Sequence, residues 1–313
     1  MISVVIPSYN GRRYLEGCLP SLSAQSYEDF EVIVVDNGSQ DGSCEYVEEE
    51  FPQVRIVENE DNLGFAGGVN SGISIARGEQ ILTLNNDTVA ERDFLEKLAQ
   101  AVGSDGRVGM WAPKMLFLDG RINSTGICIS RSGAAWDRGM GEEDLGQYDV
   151  GCEVFGPSGG AALYRRAMLD EIGLFDEDFF AYMEDVDLAF RGQLAGWRCL
   201  YVPGAVVRHL HGGTAGFGSD LSVYYGNRNV LWYPVKDFPL GLLISSLPWI
   251  VGRSLAVIPY YALRGQGRTI LRAKADGLAG VPRMLRKRKE VLRRVGEREI
   301  RKHIRTWSEI RGP

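Results

Sequence analysis

The sequence predicts an α/β fold, a mostly parallel sheet with helices on both faces, followed by a helical C-terminal extension. Three observations lead there. Short runs of Val, Ile and Leu alternate with helical stretches through the first hundred residues. Polar clusters fall at the ends of those runs. Beyond residue 237 the strand-like runs stop, and an apolar stretch gives way to a basic one.

Taken in order, SVVIP (3–7) reads as a strand and 11–25 as a helix. EVIVV (31–35) is a strand that ends at Asp36-Asn37-Gly38-Ser39, and 41–50 is a helix with Asp41 as its candidate cap. VRIVE (54–58) is a third strand, 64–77 a glycine-rich helix, QILTL (80–84) a fourth strand and 91–103 a helix. Near-continuous apolar strands separated by helices imply a parallel sheet covered on both faces. The pattern loosens after residue 107. Strands are expected in VGMWAPKMLFL (108–118) and NSTGICIS (123–130), an exposed acidic loop over 138–153, and a short helix over 165–173. CLYVP (199–203) and AVVRHLHG (205–212) read as two late strands that complete one domain, residues 1–235.

Residues 236–313 form the extension. Phe238–Leu263 holds Arg253 as its one charge and exceeds the roughly 20 apolar residues that span a bilayer. Pro248, Arg253 and Pro259 interrupt it, which favours a pair of interfacial helices over a membrane span or a buried core helix. Basic helical stretches follow at 267–278 and 282–310. Arg264–Pro313 carries 16 Lys and Arg against 5 Asp and Glu, while the whole chain has a net charge of −6. A basic tail on an acidic body suggests an anionic partner, a membrane surface or nucleic acid; the expected partner is an anionic membrane surface, and nucleic acid is not. A solvated helical face gives the same charge run. The five cysteines form no CxxC pair, which argues against a zinc site or a disulfide framework and fits a reducing compartment. The N-terminus reads directly as a strand, not as a leader. The expected location is cytoplasmic, peripheral on the inner face of the cell membrane.

The chemistry-bearing residues sit at strand ends, where such sheets bind ligands. Pro7, Tyr9 and Asn10 follow the first strand, Asp36 the second, Glu58-Asn59 the third and Asn85-Asn86-Asp87 the fourth. Asp36 could accept the imide N–H of uracil or thymine, with Tyr9 stacked on the base; an Asx-turn would use Asp36 equally well. Asp87 could hold Mg²⁺ or Mn²⁺ together with diphosphate oxygens. An N-cap or strand-end turn is the plainer alternative. His209 is the candidate second ligand, with His211 as the reserve, both leading into Gly212-Gly213-Thr214. Gly64, Gly67, Gly68 and Asn70 open a helix but lack the dinucleotide fingerprint spacing, so close packing near a ligand explains the glycines. Residues 181–191, AYMEDVDLAFR, set Glu184, Asp185 and Asp187 among aromatics. Acids in apolar surroundings are costly unless paired, metal-bound or kept for proton transfer. Glu184-Asp185 therefore offers a general base; acids favoured at a helix N-terminus are the alternative.

As a set these segments resemble the family 2 inverting glycosyltransferases of the GT-A fold (nucleotide-diphospho-sugar transferases). The resemblance runs through PSYN (7–10), VVDNGS (34–39), ENEDNLGFAGGVNSGI (58–73), LNND (84–87), GPSGGAALYRR (156–166), GLFDEDFFAYMEDVDLAFR (173–191), GW (196–197), RHLHGGT (208–214) and YYGNRN (224–229). NLGFAGGVN and LNND are most similar to its rhamnosyltransferase-like branch. The resemblance implies metal-assisted transfer of rhamnose or another hexose from a dTDP or UDP donor to a hydroxyl of a glycan or lipid-linked acceptor. It implies that Asp185 is the base, supported by Glu184, and that Asp87 and His209 bind the metal. Pro7, Tyr9, Asn10, Asp36, Asn62, Gly67, Asn70, Asn86 and Arg228 would line the nucleotide, and Gly159, Gly160 and Trp197 the acceptor or sugar. Asn85 stands where the family's metal motif has its first acid. Two other classes remain open. A sugar-1-phosphate nucleotidyltransferase would need a glycine-rich, basic loop after the first strand, where PSYNGRRY has one glycine. A non-catalytic sugar-nucleotide-binding or membrane scaffold would differ by lacking turnover.

Overall fold

The computed structural model describes residues 1–103, 105–210 and 218–305. The first four parallel strands are β1 (Ile2–Ser8), β2 (Phe30–Asp36), β3 (Arg55–Glu58) and β4 (Gln80–Leu84), linked by helices α1 (Arg12–Ser23), α2 (Ser43–Glu50) and α3 (Gly64–Ile75). Then come β5 (Thr88–Ala90), α4 (Phe94–Ala101), β6 (Val108–Phe117) and the short strands β7 (Ile122–Ser124), β8 (Ile127–Ser130), β9 (Ala135–Asp137) and β10 (Glu153–Val154). The second half holds β11 (Ala161–Arg165), α5 (Arg166–Ile172), a 3₁₀ turn (Glu177–Phe179), α6 (Glu184–Ala195) and β12 (Arg198–His209). It ends in α7 (Asp220–Asp237), α8 (Leu240–Ala262), α9 (Gly267–Lys287), α10 (Glu297–Arg301) and β13 (Ile304–Arg305).

The main sheet runs β10-β12-β6-β11-β4-β1-β2-β3, with β5 on β12 and β7 on β6; β13, β8 and β9 form a small second sheet. Pairing is parallel across β3-β2-β1-β4 and between β12 and β6. β11 enters antiparallel between β4 and β6. Successive residues of the parallel strands feed two different cores. Val5, Ile33 and Val35 face α3 and the C-terminal helices, whereas Val4, Ile6, Val32 and Val34 face α1 and α4. Both faces are buried, so the strands read as continuous apolar runs. The glycines of α3 let it lie close on the sheet: a Cβ at Gly72 would come within 2.4 Å of Val5 and 2.8 Å of Val35.

Four expectations change. The two late strands are one, β12, which continues through Pro203-Gly204 by a register shift between Val202 and Val206. A bulge absorbs residues that break regular pairing. Phe238–Leu263 does not form a helix pair but one helix, α8, with Pro248 and Pro259 inside it. Likewise Pro282 lies within the single helix α9. Asp41 does not cap α2 itself, since Gly42 holds that position; its carboxylate accepts from the Arg12 amide and the Ser43 hydroxyl.

The extension shares the sheet's core through Phe238, Leu242, Ile250, Met284 and Ile300. α9 packs along α7, where a Cβ on Gly277 or Gly280 would strike Leu231 or Trp232. Much of the basic tail is also bound inward. Lys287 pairs with Asp176 and Asp178, Arg283 with Asp178 and Arg294 with Glu171. Arg293 donates to the carbonyls of Lys236 and Asp237. The other face of α8 is open. Leu240, Ile244, Leu247, Trp249, Val251 and Leu255 are exposed, while Leu242, Ser246 and Ile250 face the protein. α8 is long and apolar enough to cross a membrane, with a mean hydropathy of 1.6 in its most apolar window.

Candidate active site

The site forms along the carboxyl ends of β2, β1 and β4, at the switch point where β1 lies between strands wound in opposite directions. Register places Ser8 beside Asp36. Asp36 turns one carboxylate oxygen, Oδ2, onto the amides of Gly38 (3.1 Å) and Ser39 (2.8 Å). Its Oδ1 is buried and takes no hydrogen bond. The Asx-turn and a ligand contact are therefore compatible, because each uses a different oxygen. A cavity of about 240 Å³ opens here, lined by Asp36, Ser39, Ser43, Cys44, Glu58 and Asn59 among others. Tyr9 stands half-exposed at the adjoining strand end. Asn10 ties the two loops together: its amide donates to the Ser39 hydroxyl and its Oδ1 accepts from the Gln40 amide, both at 2.8 Å.

Two strand spacings away, about 10 Å, lies the second cluster. Asn86 donates to Ser8 Oγ at 2.9 Å and locks the turn after β4. The pairing of β5 with β12 sets His209 opposite Thr88 and so beside Asp87. His209 Nε2 is 3.1 Å from Asp87 Oδ1. Nδ1 lies 2.8 Å from Asn123 Oδ1. When Nδ1–H donates to Asn123, Nε2 directs a lone pair at the carboxylate, an arrangement that a cation between them reconciles. One carboxylate and one imidazole form an incomplete set for Mg²⁺ or Mn²⁺, which suits a metal that also takes diphosphate oxygens. Among the described residues no group of three or more His, Cys, Asp or Glu gathers to bind a metal unaided. His211 lies outside the described residues.

The acids of α6 reach the same edge. Asp185 Oδ2 accepts the Gly159 amide at 2.9 Å, and its Oδ1 accepts the Val186 amide at 2.8 Å. The next residue, Gly160, bonds by its carbonyl to the Asn85 amide at 2.9 Å. A Cβ there would lie 3.3 Å from the His209 ring and 2.5 Å from Met115. The dipeptide Gly159-Gly160 thus has Asp185 against one residue and His209 against the other. Burial pushes the Asp185 carboxyl up to about 6, against the pull of the Gly159 amide. Burial, with the neighbouring Asp185 charge, pushes Glu184 well above the carboxylate range. Two carboxyls this close and this deeply buried resist being charged together. Glu184 Oε2 is buried without a hydrogen bond. Asp187 serves elsewhere: it is buried between Arg191 (2.9 Å) and Lys236 (2.6 Å).

The acids follow a tightly wound turn. Phe180, Tyr182 and Met183 have φ of +65°, +67° and +70°, a conformation costing on the order of 1–3 kcal/mol for each non-glycine residue. The Ala181 amide returns to the Phe179 carbonyl at 2.8 Å, closing a γ-turn at Phe180. Gly64 makes room for this turn, since a Cβ on it would lie 2.4 Å from the Phe180 carbonyl oxygen.

Several expected site residues have other partners. Arg228 donates to the carbonyls of Asp178 and Phe179 and lies over Tyr225 and Trp232, so its guanidinium grips backbone. Asn70 bonds to the amide and carbonyl of Phe175 and to Glu177. Asn62 Oδ1 accepts the Gly64 amide at the start of α3. Gly67 is buried against Leu63, and Pro7 lies within β1 opposite Val35. Trp197 sits beyond the far end of α6, about 18 Å from Asp185 along the helix axis, with its indole N–H on Glu171. Asn123, which orients His209, gave no pattern in the sequence; Ser8, which holds Asn86, and Asn229 lay in plain view in PSYN and NRN, without a role.

The glycosyl transferase family 2 profile matches residues 3–173, more than half of the chain. The N-acetylglucosaminyl-diphospho-decaprenol L-rhamnosyltransferase of Mycobacterium tuberculosis is 28% identical over 308 residues, covering 90% of this chain and 98% of that protein. The glycosyltransferase GlyG of Streptococcus pneumoniae is 37% identical over 105 residues, 33% of this chain and 35% of its own. Among solved structures, the mannosyltransferase PcManGT from Pyrobaculum calidifontis in complex with GDP-Man and Mn²⁺ superposes with a TM-score of 0.56 at 19% identity, covering 88% of this chain and 86% of that one. S. aureus TarS 1–349 gives 0.55 at 18%, with 96% and 91% covered. These structural likenesses carry the GT-A fold, and the sequence match carries the activity class. The chain is a glycosyltransferase and belongs to glycosyl transferase family 2.

Proposed function

We propose that the protein is an inverting hexosyltransferase that moves rhamnose or another hexose from a dTDP or UDP donor to a hydroxyl of a lipid-linked glycan. One observation carries the reading: the Gly159-Gly160 link holds the Asp185 carboxylate and the Asp87–His209 pair on adjoining residues of one strand entrance. The base of the nucleotide would lie at the Asp36 cavity, with its imide N–H on Oδ1 and its ring against Tyr9. The diphosphate would cross β1 to Asp87, a span of about 10 Å. Asp185 would take the acceptor hydroxyl proton as that oxygen attacks the anomeric carbon, and the bond to the diphosphate breaks on the opposite face. A divalent cation held by Asp87 and His209, when bound, would offset the charge developing on that diphosphate. Glu184, whose burial favours the neutral form, would limit the negative charge beside the base.

The acceptor class rests on the mycobacterial relative, whose name specifies a decaprenol-linked acceptor, and on α8. We assign catalysis to residues 1–235 and membrane association to 236–313. The exposed apolar face of α8 would lie in the headgroup region of the inner leaflet, with exposed Arg264, Arg268, Arg272 and Arg286 close by. The test is a panel of UDP- and dTDP-sugars offered to the purified protein, with and without a polyprenyl-diphosphate-linked sugar. Acceptor-dependent release of one nucleoside diphosphate, lost in EDTA and restored by Mn²⁺ or Mg²⁺, is the expected result. No release with any donor would overturn the assignment.

A further inference from the structure

Asn229 is fully buried in the middle of α7, on the face that meets the turn before the catalytic acids. Its Nδ2 lies 2.9 Å from the Phe179 carbonyl, 2.9 Å from that of Ala181 and 2.7 Å from that of Tyr182. Three carbonyls thus converge on one amide nitrogen with two hydrogens. The orientation is fixed, because Asn229 Oδ1 accepts from Arg228 Nε at 2.8 Å, which leaves only Nδ2 to face the turn. Arg228 extends the same grip to the carbonyls of Asp178 and Phe179. The chain it holds contains the three left-handed residues Phe180, Tyr182 and Met183, and Asp185 follows two positions later. Left to its own preference, a turn with those side chains would relax away from this shape. Relaxation would carry the first turn of α6, and with it the Asp185 carboxylate, away from the Gly159 amide.

We propose that Asn229 is a positioning residue for transfer, acting through the strained turn 179–183 to hold Asp185 at the acceptor. The proposal rests on Asp185 being the base. The amide gives the turn partners from outside it: Asn229 Nδ2 lies within 2.9 Å of three of its carbonyls and shares two hydrogens among them. The Phe179 carbonyl is also held by the Ala181 amide and by Arg228, so the contacts peculiar to Asn229 are those to Ala181 and Tyr182. The Ala66 amide takes the one intervening carbonyl, that of Phe180, and Phe180 stacks on Tyr225 with ring centres 4.7 Å apart. The nucleotide end of the site, at Asp36 and Tyr9, has no contact with this amide. Asn229 should therefore affect the chemical step and leave donor binding alone.

The experiment compares Asn229→Ala, Asp185→Asn and the double variant in the full chain, using the nucleotide sugar and acceptor that the panel selects. Asn229→Ala is expected to lower kcat about 10–100-fold, the effect of misplacing a catalytic group by an ångström or so. KM for the donor, and the Kd for UDP or dTDP with Mn²⁺, should stay within about threefold of wild type. The double variant should be no slower than Asp185→Asn, because both changes remove the same contribution. Backbone amides of Ala181–Val186 should exchange faster in Asn229→Ala while those of β1 and β2 keep their protection. If Asn229→Ala does not fold, Arg228→Lys tests the same point, since it keeps the charge and loses the two-carbonyl grip. Losses that add in the double variant, or a fall in nucleotide affinity equal to the fall in kcat, would overturn the proposal. If Asp185→Asn itself turns over normally, it is the base assignment that fails.

Discussion

Asp185 shows most plainly how environment makes a residue functional. A carboxyl pushed up to about 6 by burial is a stronger base than an ordinary aspartate and is still ionised at neutral pH. Asp185→Asn is expected to cut turnover about 10²–10⁴-fold with nucleotide affinity near wild type, as read by steady-state kinetics and calorimetry. Turnover in the wild type should rise with pH through about 6. The same shift has a cost in stability. A carboxyl whose pKa is raised on folding contributes most below its unfolded value, near 4, and that contribution is lost as pH climbs through 6. Asp185→Asn should thus melt a few degrees higher than wild type at pH 7.5 and lose that advantage at pH 4.5, followed by circular dichroism. An unchanged melting point at both values would mean that the carboxyl is not destabilised by burial. Asn123→Ala offers a second test, because it frees the His209 ring without touching Asp87. Metal-dependent UDP or dTDP affinity should fall about 10–100-fold, while metal-free nucleotide binding should not move.

At the level of elements, strand ends were legible and side-chain partners were not. Asp36, Asp87 and His209 could be found because apolar runs stop at them, and the sheet does bring Asp87 and His209 together. Arg228, Asn70 and Asn62 were expected at the nucleotide from the resemblance; Arg228 and Asn70 bond to backbone from distant segments, and Asn62 to the Gly64 amide two residues on. No spacing rule reports a contact such as Asn70 with Phe175. Pro248 and Pro259 suggested a break in α8 that tertiary packing overrides: Leu242, Ser246 and Ile250 hold the helix on the protein across the first proline. Arg253, expected to interrupt the apolar stretch, sits half-buried within the continuous helix. The glycines of α3 were read correctly as close packing, and the structure identifies what they pack against. Gly72→Ala should cost about 1–3 kcal/mol, read as a lower urea midpoint with an unchanged slope. A neutral result would require α3 to shift off Val5 without loss.

Across the whole molecule, the extension is both a wall of the fold and the carrier of an exposed apolar helix face. Trimming the chain near residue 237 would strip Lys287 from Asp176 and Asp178 and uncover Trp232, so a truncated protein would test folding and not membrane binding. Point changes on the outer stripe avoid this. Ile244→Glu with Val251→Glu is expected to abolish sedimentation with liposomes containing anionic lipid, with melting temperature and nucleotide binding unchanged. Exposed basic residues near the surface contribute about 1 kcal/mol each. High salt should therefore weaken wild-type binding without releasing all of it, since apolar burial is not screened. Full binding by the double variant would move the contact elsewhere. The main sheet has a further consequence, for synthesis. β4 cannot complete its pairing until β11 arrives from Ala161–Arg165, because that strand fills the gap between β4 and β6. Translation of the intervening chain takes on the order of ten seconds. Throughout that interval the nascent protein presents Gln80–Leu84 as an unprotected apolar edge, a template for neighbouring chains. Slower initiation or a chaperone that covers this edge should raise soluble yield more than any change made to the finished fold.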